Sequence, residues 1–286
     1  MNDPVPPPPP SGTSVTRYAL AVAVTVLAIA SQYFVPQLVP GTRVVYGSLL
    51  GDLLIVYGVP ILAFLLGVGT GPLQHWKQRP SLATLEGLQW YGIASLAAIL
   101  VVILLTFVYL AVDPGALALL QRPNPALTQA VGDPWFFVGL SFAVGAIEET
   151  IFRGWIFGFW AARPGSWLTP AVWTSALFAA VHLYYGTTYG AAAPLIFPTL
   201  FFAGFGFAAA FRASGGNLVV IALLHGIFDA SAYLTLLNLD VGVAIRYGVI
   251  FAGLVVALLV YMRLVRGPSH PFGLSSEGAP PAAGPP

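Results

Sequence analysis

The sequence of 286 residues has no cysteine and very few charged side chains. The missing cysteine excludes disulfides, thiolate metal sites and cysteine nucleophiles. Charged residues make up 7% of the chain and hydrophobic residues 58%, whereas soluble domains carry about 25% charged residues. Eleven Lys and Arg nearly balance ten Asp and Glu, so we exclude nucleic acid as a partner. This composition predicts a membrane protein whose surroundings are the lipid bilayer.

Proline is abundant at the two ends of the chain, residues 1–15 and 267–286. These stretches lack apolar periodicity and cannot bury a core, so we predict two disordered tails. The first residues also lack the basic start and the cleavage site of a secretory signal, and we expect the N-terminus to be retained. Residues 16–266 are predicted to form one transmembrane helical domain.

Long apolar runs fill that domain, each close to the ~20 residues that cross a bilayer as a helix. They lie at 16–36, 44–68, 88–112, 135–160, 167–185, 194–212, 217–238 and 241–265. The predicted fold class is therefore all-α, a polytopic membrane protein of about eight transmembrane helices. An even number places both termini on one side, and most Lys and Arg fall on that side. The positive-inside rule then predicts cytoplasmic termini.

A few ionisable side chains lie inside the predicted spans, where insertion scales assign each charge a cost of roughly 2.5–3.5 kcal/mol. Asp52 stands alone in the second span, and we interpret it as a helix-packing group. The others are Glu148, Glu149 and Arg153 in the fourth span, His182 in the fifth, and His225 and Asp229 in the seventh. Their convergence from three spans indicates an intramembrane polar cavity that serves as an active site.

Spacing within the helices separates the roles of these residues. Glu149 and Arg153 are one helical turn apart and can form an ion pair. Glu148 is rotated by about 100° from Glu149 and must face a different neighbour. His225 and Asp229 are also four residues apart and share one face of their helix.

The same residues, taken in order, resemble a known family. Glu148-Glu149-x-x-x-Arg153, then Phe178-x-x-x-His182, then His225-x-x-x-Asp229 is similar to the motif set of the CPBP intramembrane proteases, also called the ABI family. That family includes the Ras-converting type of CAAX prenyl endopeptidase and bacterial bacteriocin-processing proteins. The resemblance covers about residues 135–240. It implies about eight transmembrane helices and hydrolysis of a peptide bond near the membrane face.

The resemblance also implies catalytic roles. Glu148 and His182 would activate a water, Glu149 and Arg153 would hold the geometry, and His225 with Asp229 would stabilise the oxyanion. The prenyl endopeptidases place Asn where this chain has Asp229, and an ionised Asp cannot donate a hydrogen bond. Either Asp229 is protonated, or it accepts a hydrogen bond from His225 and orients that ring. Our hypothesis is the second.

No cofactor is expected, although zinc is an alternative. Glu148, His182, His225 and Asp229 include the imidazole and carboxylate groups that ligate zinc. The chain has no His-Glu-x-x-His helix to pre-form such a site, which favours a glutamate-activated water without metal. No Gly-x-Ser-x-Gly or Gly-x-Gly-Asp pattern supports a serine or aspartyl protease.

Two functions of other classes stay open. A proton-coupled transporter would need charges along a path across the membrane, whereas here they form one cluster. A non-proteolytic scaffold would keep the fold without the chemistry.

As a protease, the chain would have a peptide or membrane-protein substrate. Abundant Ala, Gly and Pro with a single lysine suggest a bacterial plasma membrane protein, which favours a bacteriocin leader, a signalling peptide or membrane-protein turnover over a prenylated tail.

Overall fold

The computed structural model describes residues 14–42, 48–77, 132–161, 167–182 and 193–234, with isolated positions between 45 and 112. This part of the chain is helical and contains no strand. Its long helices are α1 (Val15–Leu38), α2 (Leu49–Gly67), α3 (Pro134–Ala161), α4 (Leu168–Val181), α5 (Ala193–Ala213) and α6 (Leu218–Leu234). The all-α class is confirmed. The predicted spans at 88–112 and 241–265 lie outside the described residues, as do most of the two tails, so the count of eight stays a prediction.

Three of the helices, α1, α2 and α3, are long and apolar enough to cross a membrane. Apolar stretches of α4, α5 and α6 are shorter. Many large apolar side chains point outward, such as Leu27 on α1 and Leu66 on α2. Because this much exposed apolar surface would be unfavourable in water, the helices agree with an integral membrane protein.

Polar residues fix the starts of three helices. The side chain of Ser14 accepts a hydrogen bond from the backbone N–H of Arg17 at 3.1 Å. Asp133 accepts one from Phe136 at 3.0 Å before α3, and Asn217 accepts one from Val220 at 3.2 Å before α6. Such caps satisfy backbone donors that the first helical turn leaves unpaired.

Two of the helices contain π-helical segments, Asp52–Gly58 in α2 and Thr150–Phe157 in α3. A π turn carries more residues than an α turn, so it rotates the side chains that follow relative to those before it. The segment in α3 begins directly after Glu149. The segment in α2 includes Tyr57, whose hydroxyl donates to Glu148, so both segments adjoin the charged side chains.

Among the described helices, α3 and α6 have the most extensive contact, and small residues permit their approach. A Cβ added to Gly145 would lie 3.0 Å from the backbone nitrogen of Gly226, and one added to Gly226 would collide with the ring of Phe142. Close packing of this kind associates helices in lipid, where apolar burial alone gives no preference for a partner. It brings the acidic pair of α3 opposite His225 and Asp229 of α6.

The rest of the core packs on α3. Trp155 and Phe157 are 1% and 0% exposed, so these aromatic rings of α3 face the protein rather than lipid. The ring of Tyr18 in α1 stacks on Phe159 with centroids 4.0 Å apart, and its hydroxyl donates to the carbonyl of Ile156 at 3.1 Å. Helix α1 is thereby held against the second half of α3.

A short 3-10 segment, Gly71–Lys77, follows α2 and packs on two other elements. Trp76 Nε1 donates to Thr150 Oγ1 at 3.1 Å. His75 is 5% exposed and contacts the turn between α5 and α6, where Gly216 has φ +86° and an added Cβ would lie 2.7 Å from His75 Nδ1. This segment therefore joins α2, α3 and α6 at one end of the helices.

We expect stability to depend on pH through His75. Burial lowers the pKa of His75 below 6.5, and its hydrogen bond to the Gly216 backbone offsets this only in part. The unfolded chain therefore binds a proton at a pH where the folded protein does not. The free energy of unfolding is full above pH 6.5 and falls as the pH decreases from there through the folded pKa.

Unfolding in detergent, followed between about pH 8 and about pH 5 for wild type and His75→Gln, measures this effect. The variant should lose less stability than wild type as the pH falls. Since all other titrating groups are shared, a difference between the two proteins that stays constant with pH would contradict the expectation.

Candidate active site

Glu149 lies at the centre of the charged cluster and is fully buried. Its Oε1 accepts hydrogen bonds from Arg153 Nη1 at 2.9 Å and from His225 Nδ1 at 2.7 Å. Its Oε2 has no hydrogen-bond partner in the part of the chain that the structure describes. The predicted ion pair with Arg153 is present, and Glu149 joins α3 to α6 through the same oxygen.

Arg153 is enclosed on several sides by groups that suit a guanidinium. Besides Glu149, Arg153 Nη2 donates to the carbonyl of Gly204 in α5 at 2.8 Å. Its Cζ lies 4.7 Å from the ring centroid of Phe178 and 5.1 Å from that of Phe207, within the range of cation–π attraction. A Cβ on Gly204 would lie 3.3 Å from Arg153 Nη2, so glycine leaves room for this contact. Arg153 thus ties α3, α4 and α5 together.

His225 is 3% exposed and lies among three carboxylates. Its Nδ1 donates to Glu149, while its Nε2 lies 3.4 Å from Asp229 Oδ2 and 3.8 Å from Glu148 Oε2. Its ring stacks on Phe207 with centroids 4.9 Å apart. We predicted Asp229 as the acceptor that orients His225, but the closest acceptor of a His225 hydrogen bond is Glu149. Asp229 stands beside the other ring nitrogen.

Glu148 is directed away from Glu149, as their rotation on the helix predicts. Its Oε1 accepts a hydrogen bond from the hydroxyl of Tyr57 in α2 at 3.1 Å. Its Oε2 lies 3.8 Å from His225 Nε2. Glu148 therefore has one oxygen held by Tyr57 and the other turned toward the imidazole.

His182 ends α4, and its Nδ1 donates to the carbonyl of Phe178 at 2.7 Å. A neutral ring with its proton at Nδ1 presents Nε2 as an acceptor. His182 and Glu148 line the same cavity, whose volume is about 420 Å³, together with Tyr57 and Phe152. Phe178 lies between the two histidines, with ring centroids 4.7 Å from His182 and 5.8 Å from His225.

The structure thus brings five predicted residues into direct contact, namely Glu148, Glu149, Arg153, His225 and Asp229, and places the sixth, His182, on the cavity of Glu148. Sequence reasoning missed Tyr57, Gly204 and Phe207. Each is a common membrane-helix residue in a separate span, so no local spacing links it to the cluster. Only the helix packing does so.

Zinc was the alternative for four of these residues. Within the described ranges, no group of three or more His, Asp or Glu side chains forms a metal-binding cluster. Two candidate ligands, Glu148 and Asp229, nevertheless flank His225 Nε2, and the Nδ1 bond to a carboxylate is what metal-bound histidines commonly have.

The apolar helices and the buried acid–imidazole cluster define a helical membrane protein with a hydrolase type of site. Comparison with known families agrees: residues 130–231 match the family described as type II CAAX prenyl endopeptidase Rce1-like. The matched segment contains all six predicted site residues, and the match agrees with the resemblance to the CPBP family that the motifs indicated. No curated protein and no solved structure matches the chain.

Proposed function

We propose that this protein is an intramembrane endopeptidase that hydrolyses peptide bonds with a water activated by Glu148 and His182. The observation that carries the proposal is the shared cavity of these two side chains, beside His225, in the segment that matches the family. A water between a carboxylate and an imidazole acceptor can lose its proton as it attacks a carbonyl carbon.

Each oxygen of Glu148 has its own part in this mechanism. Tyr57 holds Oε1, so Oε2 takes the proton of the attacking water and later returns it to the leaving amine. His182 Nε2 accepts a hydrogen bond from the same water and orients it. Attack produces a tetrahedral intermediate whose oxyanion needs a donor.

His225 supplies that donor. As an imidazolium it donates from both nitrogens, from Nδ1 to Glu149 and from Nε2 toward the cavity. Before substrate binds, Asp229 Oδ2 at 3.4 Å is the acceptor nearest to Nε2. In this proposal Glu149 orients His225, Arg153 fixes Glu149, and Asp229 balances the imidazolium charge.

The experiment is cleavage of a quenched peptide library by the purified protein in lipid vesicles. Wild type should cleave a subset of peptides and keep its activity in the presence of a chelator. His182→Gln should lower kcat by about 10²-fold, because misplacing a reacting group by about 1 Å can cost that much. The matched control is His75→Gln at neutral pH, which changes a buried histidine outside the cavity.

Each other outcome has a definite meaning. Activity that chelation abolishes and zinc restores would favour the zinc alternative, with Glu148, His182, His225 and Asp229 as its candidate ligands. Equal rates for wild type and His182→Gln would contradict the proposal. No cleavage of any peptide would turn the interpretation toward a scaffold or a proton-coupled transporter.

Location and substrate complete the proposal. Both termini face the cytoplasm, because Lys and Arg gather on the side of the termini. Abundant Ala, Gly and Pro with a single lysine support a bacterial plasma membrane. The substrate is a peptide or membrane protein that enters the cavity from the bilayer or its face. Prenylated tails, as the family description names them, belong in the library beside unmodified peptides.

A further inference from the structure

The cavity of Glu148 has a second wall that the proposed chemistry does not use. This wall comes from α1 and α2 and consists mainly of apolar side chains: Ile29, Gln32 and Tyr33 from α1, with Leu49, Leu53 and Val56 from α2. Both helices lie outside the segment 130–231 that matches the family. The wall is therefore a feature of this chain that the family match does not cover.

Gln32 is the exceptional member of the wall. Its amide makes no hydrogen bond within the described part of the chain, although it lies in the last third of α1, a helix long and apolar enough to cross a membrane. Two other polar side chains of α1 bond to their own helix: Thr25 donates to the carbonyl of Ala21 at 2.9 Å and Ser31 to that of Ala28 at 2.7 Å. An amide in an apolar environment costs free energy unless a ligand supplies its partner.

The chemistry of an amide indicates the kind of partner. The Gln side chain offers donors from its NH₂ and an acceptor from its carbonyl, which match a backbone C=O and N–H. An extended peptide exposes both groups, and proteins that bind peptides often gain affinity from main-chain hydrogen bonds. The amide has no charge, and its neighbours are apolar, so the wall suits a segment with apolar side chains.

We propose that Gln32 is a substrate-binding residue whose amide pairs with the main chain of an extended, apolar peptide segment near the scissile bond. The apolar side chains of α1 and α2 then take the flanking side chains of that segment. This inference rests on the proposed function, because it places the peptide in the cavity where Glu148 and His182 act.

The first test compares Gln32→Met with wild type. Methionine keeps the length of the side chain and removes its hydrogen-bonding groups. We expect KM for cleaved peptides to rise about 3- to 10-fold, the effect of one neutral hydrogen bond or two, with kcat nearly unchanged because the interaction is made in both ground and transition states. The matched control is Gln37→Met, since Gln37 is exposed on the same helix and does not line the cavity.

The second test separates substrate binding from a structural role. Each backbone N–H of a bound peptide is replaced in turn by an ester oxygen, and binding is followed by fluorescence anisotropy on the Glu148→Gln background. At one position of the peptide, the ester should bind more weakly than the amide to the protein that has Gln32. At the same position, ester and amide should bind equally well to Gln32→Met. A purely structural glutamine would show no such position.

Three results would overturn the inference: unchanged KM in Gln32→Met, an ester profile that does not depend on Gln32, or a lower melting temperature in Gln32→Met. The last would show that the amide stabilises the fold, whereas an unpaired amide should not. Because binding is measured without cleavage, a protein that binds peptides through Gln32 but cuts none would contradict the protease function alone.

Discussion

Replacing Glu148 by glutamine is expected to lower kcat by about 10²- to 10⁴-fold, the range that general base catalysis contributes. The amide keeps the shape of the side chain and can still accept the hydrogen bond from Tyr57, but it cannot take a proton from water. The fold should survive. Glu148 Oε2 lies 3.8 Å from His225 Nε2, whereas Glu149 at 2.7 Å and Asp229 at 3.4 Å are closer partners of that ring and remain in the variant.

Single-turnover cleavage of the best library peptide measures this loss, with thermal unfolding in detergent as the test of folding. The matched control is Asp133→Asn, which removes a carboxylate from the exposed start of the same helix. Asn caps helices about as well as Asp, so the control should match wild type in both measurements. Activity of Glu148→Gln within about tenfold of wild type would exclude Glu148 as the base, since that is below the contribution of general base catalysis.

Replacing Arg153 by methionine is expected to destabilise the protein by about 3–5 kcal/mol, the cost of breaking a buried ion pair by removing one partner. Glu149 would keep a buried charge with His225 as its remaining partner, and the carbonyl of Gly204 would lose its donor. The variant should also be inactive, because Glu149 would no longer be held in the position that orients His225.

The double variant Arg153→Met with Glu149→Met should recover part of that stability, because it removes the buried charge that the single variant leaves without Arg153. His225 Nδ1 loses its acceptor in the double variant, which limits the recovery. The double variant should stay inactive. Denaturant titration in lipid micelles, followed by tryptophan fluorescence, compares the single and double variants. Arg17→Met serves as control because Arg17 is exposed at the start of α1, and surface substitutions usually change stability by less than ~0.5 kcal/mol. A double variant as unstable as the single one would contradict this account of the pair.

Local spacing explains which contacts the sequence could predict. Glu149 with Arg153, and His225 with Asp229, are four residues apart on one helix, and the structure places both pairs in proximity. The opposite directions of Glu148 and Glu149 follow from helical rotation in the same way. Six of the predicted spans also coincide with described helices, because long apolar runs have few alternatives in a bilayer.

Contacts between helices could not be predicted in this way. The bond from His225 to Glu149 crosses 76 residues, and that from Tyr57 to Glu148 crosses 91. Their formation depends on where α3 meets α6 and on how the π-helical segments turn the side chains that follow. For this reason the sequence predicted the members of the cluster but assigned the orienting bond of His225 to Asp229 rather than to Glu149.

The cavity described above is assembled from two separate stretches of chain, one within residues 29–57 and one within residues 140–182. Mutations can therefore accumulate in the first stretch without altering the acids and histidines of the second. Two homologues with the same reactive groups could diverge in the peptides that they accept. Exchange of residues 15–67 between such homologues would be the direct way to transfer peptide preference in a chimera.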